Sequence, residues 1–322
     1  MAPQLAYLGI GLMGQAMTKN IVAKAELEKP LILWNRTQKR AEEHSSSIGH
    51  STVVATVKEA VTKADIIWSC LQDQEAVTET FEEIFRMDIR GKLFLESSTV
   101  LPDVTNRIAK QIEEAGAEFV AMPVFGEPSL ATIGKLICVP AGPTAAVARI
   151  KPYLIDVVAQ AVVDLSGEEA GKASLLKIIG NVLIMTTMET CAEINVFAEK
   201  TGLGVENAQK LIDNFPHAAA HTIYSNKMLN GDYYQKEPMV EVHKARHLTS
   251  QVLDLAKENN VSLKSYKVAV EHLADVENSN GPKEDICGIY GTVRMESGLD
   301  FYNNGPKHDT KSEGKNGYEK VL

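Results

Sequence analysis

The sequence predicts an α/β N-terminal domain of the doubly wound, mostly parallel Rossmann type, an all-α C-terminal domain, and a long interdomain helix joining them. Three observations carry this reading. Short apolar runs separated by helix-length connections fill the first half of the chain, a glycine-rich turn follows the first run, and the β pattern disappears after Ala170. Continuous apolar strands joined by helical connections indicate a parallel sheet covered on both faces. At 322 residues the chain is long enough for two cores.

The elements follow in order. "LAYLGI" is the first strand, and the helix after it carries Met13, Met17 and Ile21 on one face. "PLILWN", "STVVA", "ADIIWSCL", "GKLFLESS", "AEFVAMPV" and "KLICVPAG" continue the strand pattern, which ends in "VVDLSG". The first domain is therefore placed at 1–166. Beyond it Leu175, Ile179, Val182, Leu183, Cys191 and Ile194 keep helical spacing, with no proline up to Lys200. "TGLGV" stops that helix, because glycine adopts the left-handed cap conformation readily. Helices are predicted over about 205–214, 238–259 and 262–278, giving an all-α domain at 167–302. The polar segment 303–322 predicts a disordered tail.

A hydrophobic fraction of 44% with 23% charged residues is that of a globular protein. A net charge of -9 argues against a non-specific nucleic-acid binder. Cys70, Cys138, Cys191 and Cys287 lie far apart, which predicts reduced thiols rather than disulfides or a zinc site. No apolar run reaches membrane-spanning length and no signal-peptide pattern opens the chain, so a cytoplasmic location is expected.

"YLGIGLMGQAM" places Gly9, Gly11 and Gly14 as GxGxxG between the first strand and first helix. Gly9 permits the tight turn, Gly11 lets a pyrophosphate approach the backbone, and Gly14 allows helix and strand to pack closely. The helix N-terminus favours the phosphate charge. An NAD-selective site usually carries an acid at the end of the second strand. Here "LWNRT" supplies Asn35, Arg36 and Thr37, with Arg40 a turn later. An amide does not repel a 2′-phosphate and a guanidinium can grip one, so NADP(H) is the expected cofactor.

"GKASLLKIIGNVLIMTTM" puts Lys177 among apolar neighbours. A hydrated charge is costly to bury. Either the side chain reaches solvent along the helix, or the fold uses an amine there.

These stretches resemble the β-hydroxyacid dehydrogenase family over about residues 1–300. "GIGLMGQAM" is similar to its dinucleotide signature and "ESSTVLP" to its Ser-Thr…Pro motif. "MPVFGEPSLATIGKL" resembles its substrate loop, and "GKASLLKIIGN" its catalytic helix. The resemblance implies that Lys177 is the catalytic acid/base and Asn181 a substrate ligand, four residues on and therefore on the same helix face. It implies that Thr99 meets the cofactor near the nicotinamide, that Lys244 is the cofactor-side lysine, and that Leu12, Met13 and Leu71 complete the cofactor set. Gly171 matches the family's glycine, and the small residues 170–174 would allow the helix a close approach. Lys177 would hold the substrate carbonyl oxygen and protonate it as negative charge builds, and partial burial would lower its pKa.

Three departures stand out. Phe125 occupies the position of the family's serine, followed by Gly126 and Glu127; Gly180 stands for an asparagine; and Lys244-Ala245 replaces Lys-Asp, with Arg246 nearby. Phe125 and Gly126 remain the expected substrate-binding positions. Phe125 either walls the pocket for a more apolar substrate or turns into the core.

The implied function is NADPH-dependent reduction of a small aldehyde or keto acid, of the succinic semialdehyde or glyoxylate type, by a homodimer or homotetramer. The alternatives are an imine reductase or reductive aminase on the same fold, and a non-catalytic NADP(H)-binding scaffold. His217 and His221, like His243 and His247, have i, i+4 spacing but lack a zincin glutamate or third ligand, so no metal is expected. Ser97-Ser98 lacks a GxSxG setting. Asp285 is expected to cap a helix.

Overall fold

The computed structural model describes residues 2–126, 128–180, 198, 201–214, 227–228, 230–238, 240–258, 260–296 and 298–303. The chain divides into two compact units, Met1–Ile184 and Met185–Leu322. Asn181, Glu127, Cys191, His217, His221 and the segment 304–322 lie outside the described residues.

The first unit begins with β1 (Leu5–Leu8), α1 (Leu12–Lys24), β2 (Leu31–Trp34), α2 (Gln38–Ile48), β3 (Ser51–Val53) and α3 (Val57–Lys63). It continues through β4 (Ile66–Ser69), α4 (Gln74–Ile84), β5 (Leu93–Glu96), α5 (Pro102–Glu114) and β6 (Glu118–Ala121). Then come β7 (Val124–Phe125), α6 (Pro128–Thr132), β8 (Leu136–Cys138), β9 (Ala141–Gly142), α7 (Thr144–Ile150), β10 (Ala159–Val162) and β11 (Leu165–Ser166).

The central sheet has the order β11-β9-β6-β5-β4-β1-β2-β3 and is parallel except for the β6–β9 pair. Alternate residues of its strands feed opposite cores. Leu5, Tyr7, Leu33, Trp68 and Leu95 join Met17 and Ile21 of α1 on one side. Ala6, Leu8, Ile67, Phe94 and Phe119 pack with residues of α3, α4 and α5 on the other. Both faces are buried, which is why the strands are uniformly apolar rather than alternating. "KLICVPAG" forms two strands instead of one. Pro140 has no N–H to continue a ladder, so β8 pairs in a separate sheet of order β10-β8-β7 while β9 joins the main sheet.

The chain runs from β1 outward through β2 and β3, then returns to β4 on the other side of β1. That reversal creates a crevice at the carboxyl ends of β1 and β4, where α/β sheets bind ligands.

Residues 170–180 are helical, and this stretch is α8. Its small residues serve contact with α5. Gly171 N donates to Asn106 Oδ1 at 2.7 Å, and Ser174 Oγ meets Thr105 Oγ1 at 2.7 Å. A Cβ on Gly171 would stand 2.6 Å from that amide oxygen, so a larger residue would require the Asn106 side chain to move.

The second unit contains α9 (Val205–Asn214), α10 (Asp232–Gln235), α11 (Val242–Glu258), α12 (Lys264–Asn280) and α13 (Ile289–Glu296). Tyr233, Val242, Leu273, Val276, Cys287 and Phe301 form its described core. α11 starts later than its apolar pattern predicts because the preceding backbone pairs elsewhere. Ile286 N donates to Val240 O and Val242 N to Glu284 O. Asp285 caps the turn at Cys287 N, 2.8 Å away, and pairs with Lys227 at 3.1 Å. Among the described residues no helix is long and apolar enough to cross a membrane.

The β1–α1 packing gives a direct test. A Cβ on Gly14 would stand 2.0 Å from the Gly9 carbonyl oxygen, a backbone atom that cannot step aside. Gly14→Ala is expected to lower stability by about 1–3 kcal/mol, as overpacking does, read as a lower midpoint in urea unfolding of the full chain.

Candidate active site

The carboxyl ends of β2, β1, β4 and β5 form a continuous edge. Gly9 has φ +100°, and a Cβ there would lie 2.3 Å from the Cys70 carbonyl oxygen, so only glycine turns the chain at this point. Gly11, by contrast, has open space where its Cβ would be. It precedes α1, whose first turn has neither a side-chain cap nor an acid. Backbone N–H groups at the start of a thirteen-residue helix are thus left for an anion. Leu12 is exposed beside them and Met13 half-buried against the core. This cradle fits a dinucleotide pyrophosphate.

Asn35 acts as a strut. Its Oδ1 accepts from Ile10 N at 2.9 Å and its Nδ2 donates to Thr37 O at 2.9 Å, tying the glycine turn to the β2–α2 turn. Arg36, Thr37 and Arg40 are exposed. Neither guanidinium pairs with a carboxylate among the described residues.

The next two strand ends are joined to each other. Leu71 N donates to Ser98 Oγ at 2.7 Å, and Thr99 lies exposed beside it. Glu96, the last residue of β5, is 4% exposed. Its carboxylate accepts from Ser98 N at 2.5 Å and from the Ser69 hydroxyl. Burial pushes this carboxyl up to about 7, against the pull of those donors. Glu96 was missed as a candidate. The signal available was an acid closing the apolar run "LFL".

Lys177 on α8 is half-buried. Its Nζ donates to Val124 O at 2.8 Å and lies 4.5 Å from the centroid of the Phe125 ring. Burial lowers its pKa, and the proximity of Cys70 opposes the shift. Burial and Glu96 together push the Cys70 thiol up to about 12, so it stays neutral. Phe125 packs against the core on the α3–α5 side of the sheet yet is not fully buried there. Its ring is half-buried and lies against Gly180, where an added Cβ would stand 2.2 Å from the ring's Cε1. Gly126 has φ +127° and packs under Leu136. The structure therefore brings together Lys177, Phe125, Gly126 and Gly180, with Cys70 of the turn after β4 near enough to Lys177 to influence its proton affinity.

In the second unit Lys244 is exposed and pairs with Glu241 at 2.9 Å, while Arg246 is engaged by Glu277. His243 donates to Pro282 O at 2.8 Å. No cluster of three metal-ligating side chains occurs among the described residues.

The buried acid makes a prediction about stability. The Glu96 carboxyl titrates higher folded than unfolded, so its contribution is fully present below about pH 4.5 and is lost as pH rises through about 7. Glu96→Gln keeps an acceptor for Ser98 N and removes the buried charge. It is expected to raise the unfolding free energy at pH 8.5 relative to wild type by on the order of 3 kcal/mol, read as a higher melting temperature, with little effect at pH 5. An equal effect at both values would show that burial of the charge is not what Glu96 costs.

Comparison with known proteins agrees with this geometry. The family profile described as "NAD binding domain of 6-phosphogluconate dehydrogenase" matches residues 4–167. The chain is 45% identical over 289 residues to the NADH-dependent oxidoreductase ucdB of Aspergillus ustus, covering 90% of this chain and 98% of that one. It is 26% identical over 269 residues to glyoxylate/succinic semialdehyde reductase 1 of Arabidopsis thaliana, covering 81% and 88%. An imine reductase from Pseudomonas sp. shares the fold, with a TM-score of 0.77 at 16% identity over 91% of this chain and 100% of that one. With the glycine cradle at β1 and a half-buried lysine on α8, these likenesses make the chain an NAD(P)-dependent oxidoreductase of the β-hydroxyacid dehydrogenase family.

Proposed function

We propose that this protein reduces a small aldehyde or keto acid to the hydroxy acid with NADPH, reversibly, and that Lys177 is the general acid. The observation that carries the reading is the environment of Lys177. The ammonium is half-buried, carries a lowered pKa and has only uncharged described partners, Val124 O and the Phe125 ring. An ammonium so placed can donate to a carbonyl oxygen and stabilise charge developing there.

The reaction balances simply. A nicotinamide held at the glycine turn would supply the hydride for the carbonyl carbon; as the carbonyl π pair moves to oxygen, Lys177 Nζ gives that oxygen its proton. Lys177 is left neutral and regains its proton from solvent. Asn181 and Gly126 are the proposed orienting groups for the substrate, and Lys244 and Thr99 further cofactor contacts. A homodimer or homotetramer working in the cytoplasm completes the reading.

NADPH is favoured by the exposed, carboxylate-free Arg36 and Arg40 beside an amide at position 35. The name of the Aspergillus ustus relative points to NADH instead, so the cofactor is the first comparison to make. We expect kcat/KM for NADPH to exceed that for NADH by about tenfold or more, and Arg36→Ala with Arg40→Ala to erase the difference. Equal efficiency in the wild type would remove the role given to Arg36.

Succinic semialdehyde, whose carbonyl carbon bears a methylene rather than the carboxylate, is the substrate for the acid test. Lys177→Ala is expected to lower kcat for reduction by about 10²–10⁴ while NADPH binding, read by fluorescence, is retained. In the wild type, reduction should fall as pH rises through a pKa below the ordinary lysine value, because the ammonium is the active form. Alcohol oxidation should rise through the same pKa. A reduction rate flat to pH 10 would exclude Lys177 as the acid.

A further inference from the structure

Resting on the assignment of Lys177 as the acid, we propose that Phe125 and Gly180 act as one specificity device, selecting substrates whose group next to the reacting carbonyl is uncharged and apolar. The substrate class is an aldehyde or ketone flanked by hydrocarbon or an aromatic ring, not one with a carboxylate joined directly to the carbonyl carbon.

Three facts of placement support this. The Phe125 ring centroid is 4.5 Å from Lys177 Nζ, close enough that a carbonyl oxygen reaching the ammonium on the ring's side would bring its carbon's substituents against that ring. The ring holds this place because position 180 has no side chain. A Cβ there would lie 2.2 Å from Cε1 and 2.4 Å from Cζ, well inside contact distance. Phe125 is anchored through its backbone in β7, opposite Ile137 of β8, and Gly126 beyond it is fixed against Leu136, where a Cβ would lie 2.7 Å from Cδ2.

The chemistry follows from the ring. An aromatic face carries a negative quadrupole, attractive to the ammonium and repulsive to an anion. A carboxylate bonded to the reacting carbon would give up water to lie against that face, with no donor from the side chain of residue 125 or 180. A methylene or phenyl group would instead gain contact area there. The ring thus steadies the acid and sorts the substrate with the same surface.

The matched pair for the test is benzaldehyde and glyoxylate, aldehydes that differ in bearing phenyl or carboxylate on the reacting carbon. With the full chain and its reduced cofactor, kcat/KM for benzaldehyde is expected to exceed that for glyoxylate by about tenfold or more. Phe125→Ser should shrink that ratio by about tenfold, and Gly180→Ala, which displaces the ring without removing it, should shift it the same way. Binding supplies a readout free of turnover: in the enzyme–NADPH complex neither benzyl alcohol nor glycolate can react. Calorimetry should give the tighter affinity to benzyl alcohol in the wild type and lose that order in Phe125→Ser.

A wild-type preference for glyoxylate, tighter binding of glycolate, or ratios unmoved by both substitutions would overturn the proposal. If neither aldehyde turns over yet benzyl alcohol binds preferentially in a Phe125-dependent manner, the specificity device stands and carbonyl reduction by Lys177 falls.

Discussion

The tightest constraint in the first unit is the approach of the turn after β1 to the turn after β4, where a Cβ on Gly9 would stand 2.3 Å from a backbone carbonyl oxygen. Everything along the crevice is referred to that contact. Gly9 N donates to Trp34 O on one side, and Cys70 N to Leu8 O on the other, each at 2.9 Å. The line continues outward through Asn35 to the β2 turn, and through Leu71, Ser98 and Glu96 to the β5 turn. Four strand ends are thus linked by hydrogen bonds that use few side chains. The floor of the site is fixed before any ligand arrives, which lowers the ordering cost of binding. Loosening Gly9 would release the whole row, because each turn is registered on its neighbour.

Two ionisable groups of opposite sign are partly or wholly withdrawn from water at this edge, and burial drives both toward neutrality. For Glu96 the result is a cost, tolerated because its oxygens satisfy the Ser69 hydroxyl and Ser98 N–H. A buried donor left without a partner would cost a comparable amount. For Lys177 the same desolvation is useful, since it weakens the hold of the ammonium on its proton. The thiol between them contributes no charge, being pushed up to about 12. Identical physics therefore acts on two groups that differ in whether their polar atoms are consumed by the fold: those of Glu96 are, while the Lys177 ammonium keeps donors for the chemical role proposed for it.

Features expressed in local geometry were legible in the sequence. The glycine turn could be read because its spacing and its neighbouring elements are contiguous. Lys177 could be singled out because a charge in an apolar helix contradicts its surroundings, but the helix alone left open an escape to solvent, and the role proposed for it came from the family resemblance. The sheet was legible from uniform apolar runs, although Pro140 divides one of them between two sheets. What escaped was long-range pairing. Gly180 and Phe125 lie 55 positions apart, and nothing local reveals that one leaves room for the other. Gly171 matches the family's glycine by position, but its contact with Asn106 of α5, 65 positions away, has no local signal. The start of α11 moved because residues 240–242 bond to 284–286, a preference no helical periodicity encodes.

The partners of Lys177 also bear on the role proposed for it, that of an acid acting selectively on a transition state. An ammonium has three donors, and here one reaches Val124 O while a neutral ring lies against the charge. A carboxylate partner would have raised its pKa and spent its attraction in the resting enzyme. With only a carbonyl dipole and a quadrupole to oppose it, most of that attraction remains for an oxygen acquiring negative charge. Such an oxygen gains more from the contact than a ground-state carbonyl does, and that difference is what accelerates a reaction. The neutrality of the residues around Lys177 is therefore as much a part of the acid as the amine itself.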